Sequence, residues 1–101
     1  EPSDRIRERV EAARQIQAER FRGMKIHSNA EMGPKELKRF CEPTKEARLL
    51  MTSAVRNFGI SARGYSRLLR VSRTIADLAG EEKIDSTRLA EAIQFRGVEK
   101  T

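Results

Sequence analysis

Tryptophan is absent, cysteine and histidine occur once each, and aromatic residues make up only 5% of the 101 positions. Each gap excludes a class of function. A lone Cys41 cannot close an internal disulfide and has no second thiolate for a zinc site, so it reads as a small buried hydrophobe in a protein suited to a reducing cytoplasm. His27 has neither a second histidine for a metal nor a paired serine or cysteine nucleophile, which leaves an exposed loop residue. No Gly-x-x-x-x-Gly-Lys-Ser/Thr phosphate loop occurs, and no strand ends in a metal-binding acidic pair. Phosphoryl transfer therefore lacks both its cradle and its metal, and no catalytic residue or metal site is expected within the chain. No apolar run is long enough to span a bilayer, and no secretory signal is seen, although a sequence opening at Glu1-Pro2 without Met gives that second absence little weight.

What is present is periodic. Hydrophobic residues make up 38% and charged residues 36%, enough apolar content for a small helical domain when it recurs at helical spacing. A chain of this length supports one domain, residues 1–101, in which folding hides roughly 60–70% of the unfolded surface. Ser3 caps a first helix through about Arg22, with Ile6, Val10, Ala13, Gln17 and Phe21 on one stripe and Gly23 as its stop. A connector over 24–32 precedes a short helix opened by Gly33-Pro34 and ending near Phe40. The next helix begins near Pro43 or Thr44, carries Ala47, Leu50, Met51, Ala54, Val55 and Phe58 on its apolar face, and ends at Gly59. A last helix starts at Asp85, with Ile84 and Leu89 as a staple, and reaches about Arg96 before Gly97. The expected fold is all-α, a compact bundle of four to five helices with short connections.

The stretch from Ser61 to Gly80 carries the sharpest signal. Ser61 is a good N-cap, Ile60 and Tyr65 occupy staple positions across it, and Gly80 is a natural stop. At about 100° per residue, Tyr65, Leu68, Leu69, Ser72, Ile75, Ala76 and Ala79 fall on one side, and Arg63, Arg67, Arg70 and Arg73 on the other. The expectation is a buried face and an outward cationic face. Arg63 takes the second helical position, where unpaired N–H groups and the positive dipole end already favour an anion, and its planar guanidinium can grip phosphate oxygens through two hydrogen bonds. Arg67 and Arg70 read first as a solvated face and second as phosphate contacts, and Arg73 as a salt-bridge or interdomain residue. Asp77 is placed to pair with Arg73 at i+4 or to make a contact within the bundle. Glu81-Glu82 and the Asp4/Glu8/Glu11 face read as solvated charge. Ile16 and Leu49 lie off the main stripes and are expected to form an interdomain patch.

Four blocks then combine. Arg9-Val10-Glu11-Ala12-Ala13-Arg14-Gln15-Ile16-Gln17, Asn29-Ala30 followed by Lys35-Glu36-Leu37, Ser61-Ala62-Arg63 running into Val71-Ser72-Arg73-Thr74-Ile75-Ala76-Asp77-Leu78, and Leu89-Ala90-Glu91-Ala92-Ile93-Gln94-Phe95-Arg96 cover nearly the whole chain. In that order they resemble the C-terminal domain of the magnesium-chelatase-like AAA+ ATPases of the ComM type, with Ser72 departing from the usual alanine. The resemblance implies a lid domain whose Arg63 is the sensor 2 residue contacting ATP phosphates, with Arg67, Arg70 and Arg73 as candidates for supporting or interdomain contacts. It implies ATP and Mg²⁺ as cofactors of the full-length protein, none of them bound by this domain alone. The implied partners are its own ATPase core and the neighbouring subunits of a ring, a hexamer. It also implies DNA as the substrate of a branch-migrating motor in natural transformation; true chelatase subunits instead drive metal insertion into porphyrin. The isolated domain is expected to be a monomer without membrane contact, in the cytoplasm.

Charge keeps two other readings in view. Lys and Arg exceed Asp and Glu by one over residues 1–23, by three over 24–58 and by three over 59–80, and fall short by one over 81–101. Positive density in the middle suits phosphate, and a stand-alone DNA-binding module using the basic face of 59–80 is the alternative. A purely structural interaction bundle is the other.

Overall fold

The computed structural model describes residues 3–100, with side chains through residue 95. Among the described residues there are five α-helices, α1 (Ser3–Arg20), α2 (Pro34–Phe40), α3 (Lys45–Phe58), α4 (Ala62–Leu78) and α5 (Ser86–Lys100), together with a 3₁₀ turn at Asn29–Glu31. Local chemistry sets most of their limits. The Gly33 N–H donates to the Glu36 carboxylate at 2.8 Å while Pro34 pre-sets the first turn of α2. Thr44 accepts the Ala47 N–H at 3.2 Å to open α3, and Gly59 closes it at φ 62°, a left-handed conformation that glycine enters without steric cost. Asp85 caps α5 by accepting the Arg88 N–H at 2.9 Å.

Two helix ends differ from the sequence expectation. α1 stops at Arg20, not Arg22, because the following N–H groups of Arg22 and Met24 bond three residues back, at 3.4 and 2.9 Å, and tighten the chain. The turn swings Phe21 into the core, where it is 3% exposed and meets Phe40 edge to face at 5.6 Å. At the other end α5 continues past Arg96 to Lys100, since a glycine inside a helix costs only about 1 kcal/mol against alanine and Gly97 is not obliged to stop it.

α4 organises the bundle. It packs against α1, α2, α5 and the 3₁₀ turn, so residues 68–77 are all buried or half-buried, whereas Ser61, Ala62, Arg63, Tyr65 and Arg67 are exposed. Half of the helix is interior and its first two turns protrude. Met32, Met51, Ile84 and Leu89 are each no more than 1% exposed and form the centre of the core, each contributing roughly 1.5–3 kcal/mol by leaving water. A bond from the Thr44 N–H to the Ile84 carbonyl at 3.0 Å ties the α2–α3 corner to the α4–α5 loop.

The apolar stripes run on past the ends of their neighbours. Ile6, Phe58 and Tyr65, all expected on buried faces, are 46%, 57% and 38% exposed, left largely uncovered among the described residues. Leu49 is 65% exposed and Ile16 half-buried. Residues 3–12 of α1 are exposed apart from half-buried Val10, and this projection accounts for a radius of gyration of 13.7 Å, against about 13 Å for a compact domain of this length.

Candidate functional site

Arg63 stands on the protruding first turn of α4. The Ser61 hydroxyl accepts the Gly64 N–H at 3.1 Å, satisfying one of the orphan donors of the turn. Gly64 has a packing reason as well: a Cβ there would lie 3.0 Å from Ile60 Cγ2, so glycine lets the buried Ile60 seat against the turn and fix the angle at which the chain enters it. Arg63 is exposed and makes no hydrogen bond or ion pair with the described residues. Its surroundings in the chain are unusual. Residues 47–76 contain six arginines and no aspartate or glutamate, so neither α3 beyond its first turn nor α4 before Asp77 supplies a carboxylate to neutralise it.

The outward cationic face expected for α4 is only half present. Arg70 is half-buried and its Nε donates to the Met32 carbonyl at 2.9 Å, pinning the connector. Arg73 is 4% exposed, with Nη1 donating to the carbonyls of Glu82 at 2.7 Å and Phe40 at 3.3 Å, Nη2 to the Glu81 carbonyl at 2.7 Å, and Nε to Asp77 at 3.1 Å. Both arginines turn inward because that side of the helix is covered, at Arg70 by the connector and at Arg73 by the end of α2 and the α4–α5 loop. Only Arg63 and Arg67 stay on the exposed turns.

Behind them lies a buried ion cluster. Asp77, whose side chain is fully buried, accepts two hydrogen bonds at 2.7 Å from the guanidinium of Arg20, one from Asn29 Nδ2 at 2.8 Å and one from Arg73 Nε at 3.1 Å. Asn29 is held in turn: its carbonyl oxygen accepts from Arg20 Nη1 at 2.8 Å, its Nδ2 donates to Thr74 at 3.1 Å, and its backbone N–H donates to Gln17 Oε1 at 2.9 Å. Two cations share one carboxylate, and carbonyls at the C-terminal end of α2 and in the α4–α5 loop take up the remaining positive charge of Arg73. The cluster binds α1, the 3₁₀ turn, α2 and α4 into one body. Pairing of Arg73 with Asp77 was one of the sequence readings, whereas Arg20, Gln17 and Asn29 as its partners were not. The available signal was Asp77 itself, an acid on the arginine side of an otherwise acid-free helix.

Cys41 is 1% exposed, its Sγ 3.7 Å from the Met32 sulfur, and burial pushes its thiol up to about 11 against the pull of nearby Arg73 and Arg20. Glu31 moves the other way: the backbone N–H of His27 and the Ser28 hydroxyl donate to its carboxylate and lower its pKa. Both Glu31 and His27 are exposed. Glu81 pairs with Arg88 at 2.9 Å and is therefore not simply solvated. Among the described residues no group of His, Cys, Asp and Glu is placed to hold a metal, and no helix is long and apolar enough to cross a membrane.

Residues 1–96 match the family described as magnesium chelatase, subunit ChlI C-terminal. The chain belongs to this family. Relatives of this magnesium-chelatase C-terminal domain include the competence protein ComM of Haemophilus influenzae, 42% identical over 98 residues that make up 97% of this chain and 18% of that protein. YifB of Escherichia coli is 32% identical over 99% of this chain and 19% of its own length. A protein of Mycobacterium tuberculosis is 35% identical over 95% of the chain and likewise 19% of its length. The domain thus spans less than a fifth of each of these relatives. The sequence blocks that carried the resemblance divide in the structure: Asn29, Gln17 and the Arg73-to-Asp77 block build the buried cluster, and the Ser61-Ala62-Arg63 start builds the exposed turn.

Proposed function

We propose that this domain is the helical lid of a ComM-type AAA+ ATPase and that it presents Arg63 to the phosphates of ATP held by an ATPase core in the same ring. The observation that carries this reading is Arg63 itself, an exposed cation at the second position of a side-chain-capped helix, in a thirty-residue segment with no acid to pair with it. The helix N-terminus and the guanidinium act in the same direction on a phosphate, and Ser61 and Ile60 fix the backbone turn from which that guanidinium extends. Its part toward Mg-ATP is to meet phosphate oxygens with the Arg63 guanidinium, with Mg²⁺ held by the core. The lid motion then couples hydrolysis to a motor. DNA branch migration is the motor activity we assign, supported by the likeness to a competence protein.

The stand-alone DNA module loses its main support, because Arg70 and Arg73 are spent on interior carbonyls and Asp77 and no continuous basic stripe faces solvent along α4. The test is Arg63→Ala in the full-length ATPase. Turnover is expected to fall about 10²–10³-fold, the cost of removing a preorganised donor from a charge-developing site, with fold stability changed by no more than about 0.5 kcal/mol. Mixing this variant with a phosphate-loop variant in one ring restores part of the activity if Arg63 acts on a neighbouring subunit's nucleotide. Wild-type turnover in an assembled Arg63→Ala ring would return Arg63 to the solvated surface.

A further inference from the structure

We propose that Arg20 and Asp77 form an ionic latch that makes α1 and α4 one rigid lever, and that both are positioning residues for Arg63. The inference rests on the reading of Arg63 as a phosphate contact. Apolar packing holds α1 only toward its inner end: Ala13 is buried, Val10 and Ile16 are half-buried and Phe21, just beyond the helix, enters the core, while residues 3–9 are exposed. What sets the angle of that inner end is polar and directional. The fork of Arg20 grips both oxygens of Asp77 at 2.7 Å, and Gln17 receives the Asn29 N–H at 2.9 Å. A bidentate guanidinium–carboxylate pair defines an angle as well as a distance, which non-directional apolar contact does not. The matched segment is under a fifth of each relative's length and the family is a C-terminal one, so α1 is the element through which a preceding ATPase core would reach this domain.

Geometry makes the latch consequential. Arg63 lies fourteen residues before Asp77 on the same helix, about 21 Å along the axis at 1.5 Å per residue. A rotation of about 10° at the latch moves the first turn of α4 by roughly 4 Å over that length, whereas a displacement of about 1 Å at a reacting group already costs on the order of 100-fold in rate. A core that moves α1 therefore moves Arg63 only as well as the Arg20–Asp77 pair holds.

Arg20 is the residue to perturb, because its side chain sits at the rim of the cluster with 11% exposure and its loss leaves Asp77 still bonded to Asn29 and Arg73. In the full-length ATPase, Arg20→Gln is expected to lower kcat at least tenfold with KM for ATP within about twofold, and Arg20→Lys to fall between it and the wild type. The double variant Arg20→Gln/Arg63→Ala should be no slower than Arg63→Ala alone, since both act through one guanidinium. Losses that multiply would show that Arg20 serves stability or some other step, and would overturn the positioning role. A second measurement does not depend on ATP. Spin labels at Arg7→Cys and Ala62→Cys, with Cys41→Ala and any other cysteines replaced, should give one narrow interlabel distance in the wild-type background and a broad one with Arg20→Gln. An unchanged narrow distance overturns the latch. If Arg63→Ala keeps full turnover, the phosphate reading fails, and the interlabel distance still decides whether the latch exists.

Discussion

Two arginines ten residues apart on α4 should respond to mutation in opposite ways. Arg73→Met keeps most of the side-chain volume and removes the charge. It deletes the bond to Asp77 and three bonds to the carbonyls of Phe40, Glu81 and Glu82, leaving those partly buried acceptors without this donor, while Asp77 retains Arg20 and Asn29. Removing one partner from a buried charged network typically costs about 3–5 kcal/mol, and methionine recovers part of the apolar burial, so about 3–4 kcal/mol is expected. That is a large share of the roughly 5–15 kcal/mol available to a domain of this size, and it lowers Tm by about 15–30 °C. Arg63→Ala, by contrast, should shift stability by less than about 0.5 kcal/mol. Urea titration of the 101-residue chain, followed by far-ultraviolet circular dichroism, reads both as midpoint shifts at constant slope. If Arg73→Met cost under about 1 kcal/mol, Arg73 would not be the organising cation of this core.

Cys41 should resist alkylation at pH 8 in the native state, where a thiol raised to about 11 is almost wholly protonated and buried, and react only on unfolding. Because its folded pKa lies above the unfolded value of 9.0, its contribution to stability is complete below that pH and is lost as pH rises toward about 11. The loss approaches about 3 kcal/mol at most, and Cys41→Ala should flatten that part of the alkaline stability curve; an unchanged curve would contradict the assignment. The isolated domain should bind ATP no more tightly than millimolar, about −4 kcal/mol, because it offers exposed arginines without a phosphate loop. Micromolar binding by calorimetry would mean that the domain carries a complete nucleotide site of its own.

The helices were legible where local chemistry decides them. Ser61, Thr44, Gly33-Pro34 and Gly59 each act through hydrogen bonds or backbone conformations confined to a few residues, so their positions in the sequence placed α2, α3 and α4 closely. The exposed turn carrying Arg63 was legible for the same reason. Arg73 was not. A helical wheel separates two faces but does not say which neighbour covers the second, and the residues that cover it, Arg20 and Asn29, lie 57 and 48 positions from Asp77. Phe58 and Tyr65 differ in the converse sense: they continue apolar stripes read from spacing, yet they stay exposed among the described residues. Ile6 does the same on the projecting half of α1.

Where Arg63 points when nucleotide is bound decides its role. A structure of the full-length ring, trapped with ADP and a γ-phosphate mimic, measures this directly. The account predicts the Arg63 guanidinium within hydrogen-bond distance, about 2.7–3.2 Å, of an oxygen of the β-phosphate or its mimic partner. A guanidinium facing bulk solvent or a DNA strand in every nucleotide-loaded subunit would contradict it.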